Sequence, residues 1–512
     1  MCIVSDKNLK IFDLFEIFYK NTETFSEQTA VYIAQTKLTF RDIFIISENL
    51  ANKLRGLGIC EENILGFMLP NTAAFIPVLL SLFKLSVSVA MVSPKYRESD
   101  ITSVNNAIKP VCYITTSKYI NVLKNIFPGS EIKSIEIDEL SVELFLLFPQ
   151  STKSDKSILL ESSSFNLDDR EIAIIKFTSG STGTPKAIAC TVENMLSEAE
   201  NVVSTLSITP DDFILAPVPL FHSYGFDLGV LPLLYAGVPM IINDNFIPRF
   251  VAKYMSQQKV SVFLGVPSIY RFLLETHFST IPDLTQVKYL LSCTAPLHPN
   301  LITSFYKKFN IPICQHYGSS ESGAVANHIP SEVLKHNESV GKAMKNVNIS
   351  IVDQNGDELP YGEEGEVVVN SKVVAAGYLM GEMPGKSAFS NGKYYTGDIG
   401  FIDEEGFLFL RGRKDQMINV GGLKVSPYEV MQVLNDFPAI SESAILGLKD
   451  KSGEEFVYAA VILKTSTTES KIIDYCKSRL ADYKIPRRID FWKELPKSDS
   501  GKIILKPEDI KL

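Results

Sequence analysis

The period of the hydrophobic pattern changes repeatedly along the first part of this chain, and that alternation restricts its architecture more than any other feature. Residues 42–57 repeat at helical spacing, 64–68 are a short extended apolar run, 75–83 return to helical spacing and 111–114 are extended again. Short apolar strands separated by helices cannot pair through tight hairpins; they must cross over, which builds doubly wound sheets with helices on their faces. From about residue 349 the texture turns to strand and turn. Ile-Ser-Ile-Val-Asp-Gln-Asn-Gly at 349–356 ends in a hairpin signal, and Gly-Glu-Val-Val-Val at 365–369 belongs to a further strand pair, so a smaller β subdomain is expected. The segment Arg-Gly-Arg-Lys-Asp at 411–415 then reads as a domain boundary before a stretch with its own strand and helix pattern. At 512 residues the chain exceeds one ordinary core. The expectation is an α/β protein with a large N-terminal domain over 1–412 and a small α+β domain over 413–512.

The apolar run at 172–175 is followed by Phe-Thr-Ser-Gly-Ser-Thr-Gly-Thr-Pro-Lys at 177–186. A linker or plain turn uses such residues for positive φ, fixed φ and side-chain capping. A phosphate cradle uses them differently: backbone N–H groups and hydroxyls curl around an anion, and a lysine adds a point charge. Two other loops fail on spacing. A Walker loop puts glycine next to the lysine, whereas Gly183 and Lys186 are separated by two residues and Ala187 follows. A nucleophile elbow needs Gly-x-Ser-x-Gly, and Ser179 stands where the first glycine belongs.

Charge and cysteine usage exclude further classes. The net charge is −9 with basic residues spread along the chain, which leaves no footprint for nucleic acid. Seven cysteines, from Cys2 to Cys476 and without a Cys-x-x-Cys pair, fit reduced thiols in a cytosol and not a zinc site. Lys7, Lys10, Asp13, Glu16 and Lys20 interrupt any signal-peptide core, and Lys84 sits within the most apolar window, 73–92. A cytoplasmic enzyme without a membrane span is expected.

Five segments in order resemble motifs of the adenylate-forming (AMP-binding) superfamily of acyl-CoA synthetases, stand-alone adenylation enzymes and luciferases. They are the loop at 177–186, Gln-His-Tyr-Gly-Ser-Ser-Glu at 315–321, Tyr-Thr-Gly-Asp at 395–398, Gly-Arg-Lys-Asp at 412–415 and Pro-Lys-Ser-Asp-Ser-Gly-Lys at 496–502. The resemblance implies a mobile C-terminal lid and a two-step reaction: a carboxylate displaces pyrophosphate from ATP, and a thiol then displaces AMP. It also implies roles. Thr178, Ser179, Gly180, Ser181, Thr182, Gly183 and Lys186 would hold the β- and γ-phosphates, and Glu321 would bind Mg²⁺ as a hard carboxylate ligand. Tyr317 would stack on adenine near Thr294, Ala295 and Pro296, flanked by Gly318, Ser319 and Ser320, the last replacing the family's usual threonine. Asp398 and Arg413 would fix the ribose, Lys502 would meet the α-phosphate and carboxylate, and Asp415 would be the hinge.

The acyl pocket implied by the resemblance contains His222, Tyr224, Phe226, Asp227, Gly265 and Cys293. His222 would gate the channel or steer the carboxylate; as an ordinary residue it would be a core histidine. Cys293 and Thr294 stand where many relatives have glycine and would narrow the pocket floor. Asp227 has two readings: pairing with a substrate amine, or, favoured, capping a helix that begins near Leu228. Gly421 and Gly422 would leave room for a pantetheine arm, which favours CoA as the acceptor over the phosphopantetheine of a carrier protein. The substrate would be a small carboxylic acid. A catalytically silent module sensing AMP or acyl groups is the reading from another class, and joint retention of Glu321, Asp398, Arg413 and Lys502 opposes it.

Overall fold

The computed structural model describes residues 9–34, 36–150, 171–179, 185–243, 246–257, 260–379, 388–390, 392–450, 453–498 and 501–510. Within them, two large sheets carry the N-terminal part. In one, Ile64–Met68, Ser88–Met91, Cys112–Thr116 and Ile172–Ser179 supply the parallel pairings. In the other, Thr29–Ile33, Met240–Ile242, Phe213–Ala216, Val260–Gly265, Tyr289–Ser292 and Ile313–Ser319 run parallel side by side. Of the helical periods of the sequence, Phe40–Gly56 links the two sheets and Phe75–Lys84 is a crossover between Ile64–Met68 and Ser88–Met91; the two helices pack on each other within one apolar core that reaches both sheets. Thr39 starts the first of these helices, because its hydroxyl accepts from Asp42 N (3.0 Å) while Asp42 accepts from Thr39 N (2.9 Å).

The expected parallel arrangement is broken at the sheet margins. Pro185–Thr191 turns straight back along Ile172–Ser179, and Gly323–Asn327 turns back along Ile313–Ser319. Both connections are too short for a crossover, so only antiparallel pairing is open to them. The strands Asn348–Val352, Gly365–Asn370, Lys393–Ile402 and Leu408–Arg413 then form the antiparallel β subdomain.

Leu408–Arg413 runs one residue beyond the expected boundary at 412/413, since Arg413 is still paired in register with Asp398. A short 3₁₀ turn, Lys414–Gln416, follows. Beyond it Ile418, Val430, Leu434, Val457 and Ala459 belong to a separate core, under a sheet of Ile440–Lys449, Glu455–Leu463 and Arg488–Phe491. This small domain rests on the large one through polar contacts. Asp436 meets Asn300 (2.5 Å) and His298 (3.4 Å), Glu442 lies 3.8 Å from Arg271, and a Cβ on Gly501 would touch Val266 and Ser268. No helix among the described residues is long and apolar enough to cross a membrane.

Candidate active site

A cavity of roughly 1160 Å³ opens where the two large sheets, the β subdomain and the small domain meet. The hairpin of Ile172–Ser179 and Pro185–Thr191 supplies part of its wall, with Thr178 opposite Lys186 and Ser179 opposite Pro185. The loop therefore joins two antiparallel strands, not a strand and a helix as a Walker loop does. Gly180, Ser181, Thr182 and Gly183 lie outside the described residues. Thr178 and Lys186 line the cavity, and the lysine Nζ stands 5.4 Å from the centre of the Tyr378 ring.

The same tyrosine holds Glu321. Its hydroxyl donates to Glu321 Oε1 at 3.0 Å, and the carboxylate is 9% exposed on the cavity wall. Glu321 sits in the tight turn between Ile313–Ser319 and Gly323–Asn327. A side chain at Gly318 would put its Cβ 2.4 Å from the Gly323 carbonyl, so the turn closes only with glycine there. Ser319 and Ser322 hydroxyls bond each other (2.9 Å), and Ser320 bonds Ser223 (2.6 Å). Among the described residues no group of three or more His, Cys, Asp or Glu could hold a metal ion. The cavity offers a cation the Glu321 carboxylate, with its other places left to substrate oxygens and water. That donor set suits Mg²⁺.

Asp398 is the opposite anchor. Tyr317 donates to its Oδ2 at 2.5 Å and Arg413 Nη1 approaches Oδ1 at 3.4 Å, while Arg413 Nε donates to Asp415 (3.0 Å). Burial pushes the Asp398 carboxyl above its ordinary range, against the pull of the Tyr317 hydroxyl, Arg413 and Lys502. Lys502 thus acts electrostatically on Asp398 across the shared cavity although it belongs to the small domain. It follows Gly501, whose φ is +82°, and its N–H donates to Ser498 Oγ (3.1 Å). Ser498, Lys502 and Asp415 all line the cavity. Gly421 and Gly422 do not: they are exposed, with no atom within 4 Å of an added Cβ.

Of the residues expected at an acyl pocket, only some reach the cavity. His222, Tyr224, Asp227, Cys293 and Thr294 line the cavity. Tyr224 donates to the Leu291 carbonyl (3.1 Å), burial pushes the Cys293 thiol up to about 12, and Thr294 takes a left-handed φ of +72° beside the half-buried Ala295 and the exposed Pro296. Phe226 and Gly265, like the ATP-site candidates Ala295, Pro296 and Tyr317, are not among the residues that line the cavity. Phe226 is fully buried in the core, and Gly265 backs onto the Tyr270 ring, 2.6 Å from an added Cβ.

Asp227 caps nothing. The helical turn starts earlier, at Ser223 with His222 in the N-cap position, and continues through the π-helical segment Phe226–Val230 into Leu231–Ala236. Asp227 is thus internal, 3% exposed, and both its oxygens accept from Lys176 Nζ at 2.7 and 2.8 Å. Burial works against the Lys176 ammonium, yet Asp227, with Cys190 and Glu198 adding to it, holds the lysine above its ordinary value. Burial likewise pushes the Asp227 carboxyl up against the pull of Lys176. Behind them Glu198, 4% exposed, accepts from Ala324 N (2.9 Å) and is pushed up to about 8 by burial and by Asp227. Lys176, Glu198 and Tyr378 are absent from the sequence expectations. A lysine inside the run Ile-Ala-Ile-Ile-Lys-Phe was the available signal, since a strand buried on both faces does not carry a charge without a partner.

The AMP-binding enzyme family model matches residues 18–379, and the AMP-binding enzyme C-terminal domain model matches 429–502. The chain belongs to the AMP-binding enzyme family. Similar members include a long-chain-fatty-acid–CoA ligase of Mycobacterium tuberculosis, 27% identical over 94% of this chain and 95% of the relative. A 2-succinylbenzoate–CoA ligase of Bacillus licheniformis is 26% identical over 95% of this chain and 97% of the relative. Among solved structures, o-succinylbenzoate coenzyme A synthetase of Bacillus subtilis in complex with ATP and magnesium superposes with a TM-score of 0.81. It is 25% identical, over 95% of this chain and 98% of the other. The two-domain architecture of this AMP-binding enzyme is therefore shared over nearly its whole length.

Proposed function

We propose that this AMP-binding enzyme is an ATP-dependent carboxylic acid:CoA ligase. A carboxylate oxygen attacks the α-phosphorus of ATP and pyrophosphate leaves; the CoA sulfur then attacks the acyl carbon of the adenylate and AMP leaves. The observation that carries this reading is the convergence of Lys502, from the small domain, with Asp398, Arg413, Glu321 and the mouth of the Ser/Thr-rich hairpin on one cavity. An anionic nucleophile approaching a polyanion needs charge neutralisation and alignment above all. Lys502 supplies charge at the α-phosphate and incoming carboxylate, and Lys186, with the 178–183 loop, at the β- and γ-phosphates. Asp398, oriented by Tyr317, and Arg413 take the ribose hydroxyls. Glu321, oriented by Tyr378, would hold Mg²⁺, which would screen phosphate charge. His222 steers the carboxylate, and Tyr317 and the 294–296 turn take the adenine.

The exposed position of Gly421 and Gly422 supports a lid in its first-step arrangement, which rotation at Asp415 exchanges for a second one. The relatives favour CoA as acceptor; a phosphopantetheinyl carrier protein is the alternative. A cytoplasmic site belongs to the same reading, in keeping with free thiols at all six described cysteines. Acid-dependent exchange of labelled pyrophosphate into ATP, across a panel of acids, tests the first step. Chromatography of the product with CoA or a phosphopantetheinylated carrier tests the second. AMP binding without exchange for any acid would leave the silent sensor standing instead.

A further inference from the structure

The adenylation step proposed above gives the Lys176–Asp227 pair no role, yet the pair forms part of the cavity wall with Tyr224 and Cys293. Their side chains are 7% and 4% exposed. Removing two charges from water costs several kcal/mol per ion, and well-packed apolar residues of similar volume are often as stable or more so. The pair is thus poorly explained by stability. Asp227 also sits on a π-helical segment, a geometry found frequently at functional sites. Glu198 extends the polar spot inward, and its Oε2 is buried with no hydrogen-bond partner among the described residues.

The charge of this wall selects among ligands. Lys176 already occupies Asp227 through both carboxylate oxygens, so a substrate ammonium would meet a filled site and an adjacent cation. A second carboxylate would face the Asp227 carboxylate. A plain hydrocarbon would strip water from the pair and return no hydrogen bond. A hydroxyl satisfies both partners: it donates to a free lone pair of Asp227 and accepts from the third N–H of Lys176. We infer that Lys176 and Asp227 form a specificity site for a hydroxyl group on the carbon skeleton of the acid. The inference rests on the ligase reading above and adds the substrate class.

The test compares acids of one short skeleton, aliphatic or aryl, that differ only in carrying hydrogen, hydroxyl, amino or a second carboxyl. Each is measured in pyrophosphate exchange with the wild-type protein, with the Lys176→Met/Asp227→Leu double variant and with the near-isosteric Lys176→Gln/Asp227→Asn pair. The wild type is expected to prefer the hydroxy acid over the plain acid by at least about tenfold in kcat/KM, mostly through KM. The Met/Leu variant should invert that order, and the Gln/Asn variant should keep the hydroxy acid ahead. Should the Met/Leu variant fail to fold, loss of the advantage in Lys176→Gln/Asp227→Asn alone still overturns the inference. The same hydroxyl-to-plain ratio in wild type and Met/Leu variant, or a wild-type preference for the amino or dicarboxylic acid, overturns it too. Calorimetric binding of the same acids to the wild type separates the two levels. Absence of exchange with hydroxy acid still bound selectively defeats the ligase reading, and equal binding of plain and hydroxy acids defeats this one.

Discussion

Glu198 provides a stability test that needs no substrate. Its carboxyl is pushed from the ordinary 4.5 to about 8 by burial and by Asp227, against Lys176 and the Ala324 N–H. The folded protein then holds a proton that the unfolded chain releases near 4.5. Folding takes up that proton between the two values, so the contribution is full below about 4.5 and is lost as pH rises to about 8. At about 1.4 kcal/mol per tenfold change in proton affinity, the gap corresponds to a few kcal/mol. Glu198→Gln keeps the shape and the acceptor for Ala324 N but has no proton to lose. Its melting temperature, relative to wild type, should therefore rise by several degrees between pH 5 and pH 9. Scanning calorimetry of both proteins across that range measures the difference, which cancels the titrating groups that do not interact with Glu198. Because the chain has two domains, the transition to follow is that of the large one. Parallel pH profiles would refute the reasoning, since they would mean that Glu198 is ionised in the fold or reached by water.

Three further outcomes follow from the cavity. Lys502→Ala should lower adenylation by at least about a hundredfold yet spare thioester formation from a supplied acyl-adenylate, because its charge acts on the departing pyrophosphate step; equal loss in both half-reactions, measured in single turnover, contradicts that role. Asp415→Pro fixes φ near −65° and should leave adenylate formation largely intact while slowing thiol transfer by about a hundredfold or more; uniform behaviour of the two steps contradicts a hinge. Glu321→Gln should shift the magnesium titration of the exchange reaction to higher concentration by about tenfold, because an amide is a poorer ligand for a hard dication; an unmoved titration makes Glu321 a turn residue.

Local sequence determined the elements and the chemistry it could offer. Apolar period fixed the helices Phe40–Gly56 and Phe75–Lys84 and the strand Ile64–Met68 to within a residue or two, because each pattern is repeated by near neighbours. The five motifs were likewise contiguous, so Glu321, Asp398, Arg413 and Lys502 could be named before their convergence was known. Other features were out of reach for a physical reason: they pair residues far apart in the chain. Lys176 and Asp227 are 51 positions apart, Glu321 and Tyr378 are 57, and Glu198 and Ala324 are 126. No local period records such contacts. Asp227 shows the consequence, for a carboxylate ahead of an apolar run has the local signature of a cap, and only the packing of a hairpin strand against a π-helical turn makes it the partner of a buried lysine. Phe226 and Gly265 lie beside pocket residues in sequence, yet side-chain direction turns them into the core. The sequence by itself thus determined which groups can neutralise a polyanion. The tertiary structure decided which of them share one cavity, and that a buried lysine–carboxylate pair stands in its wall.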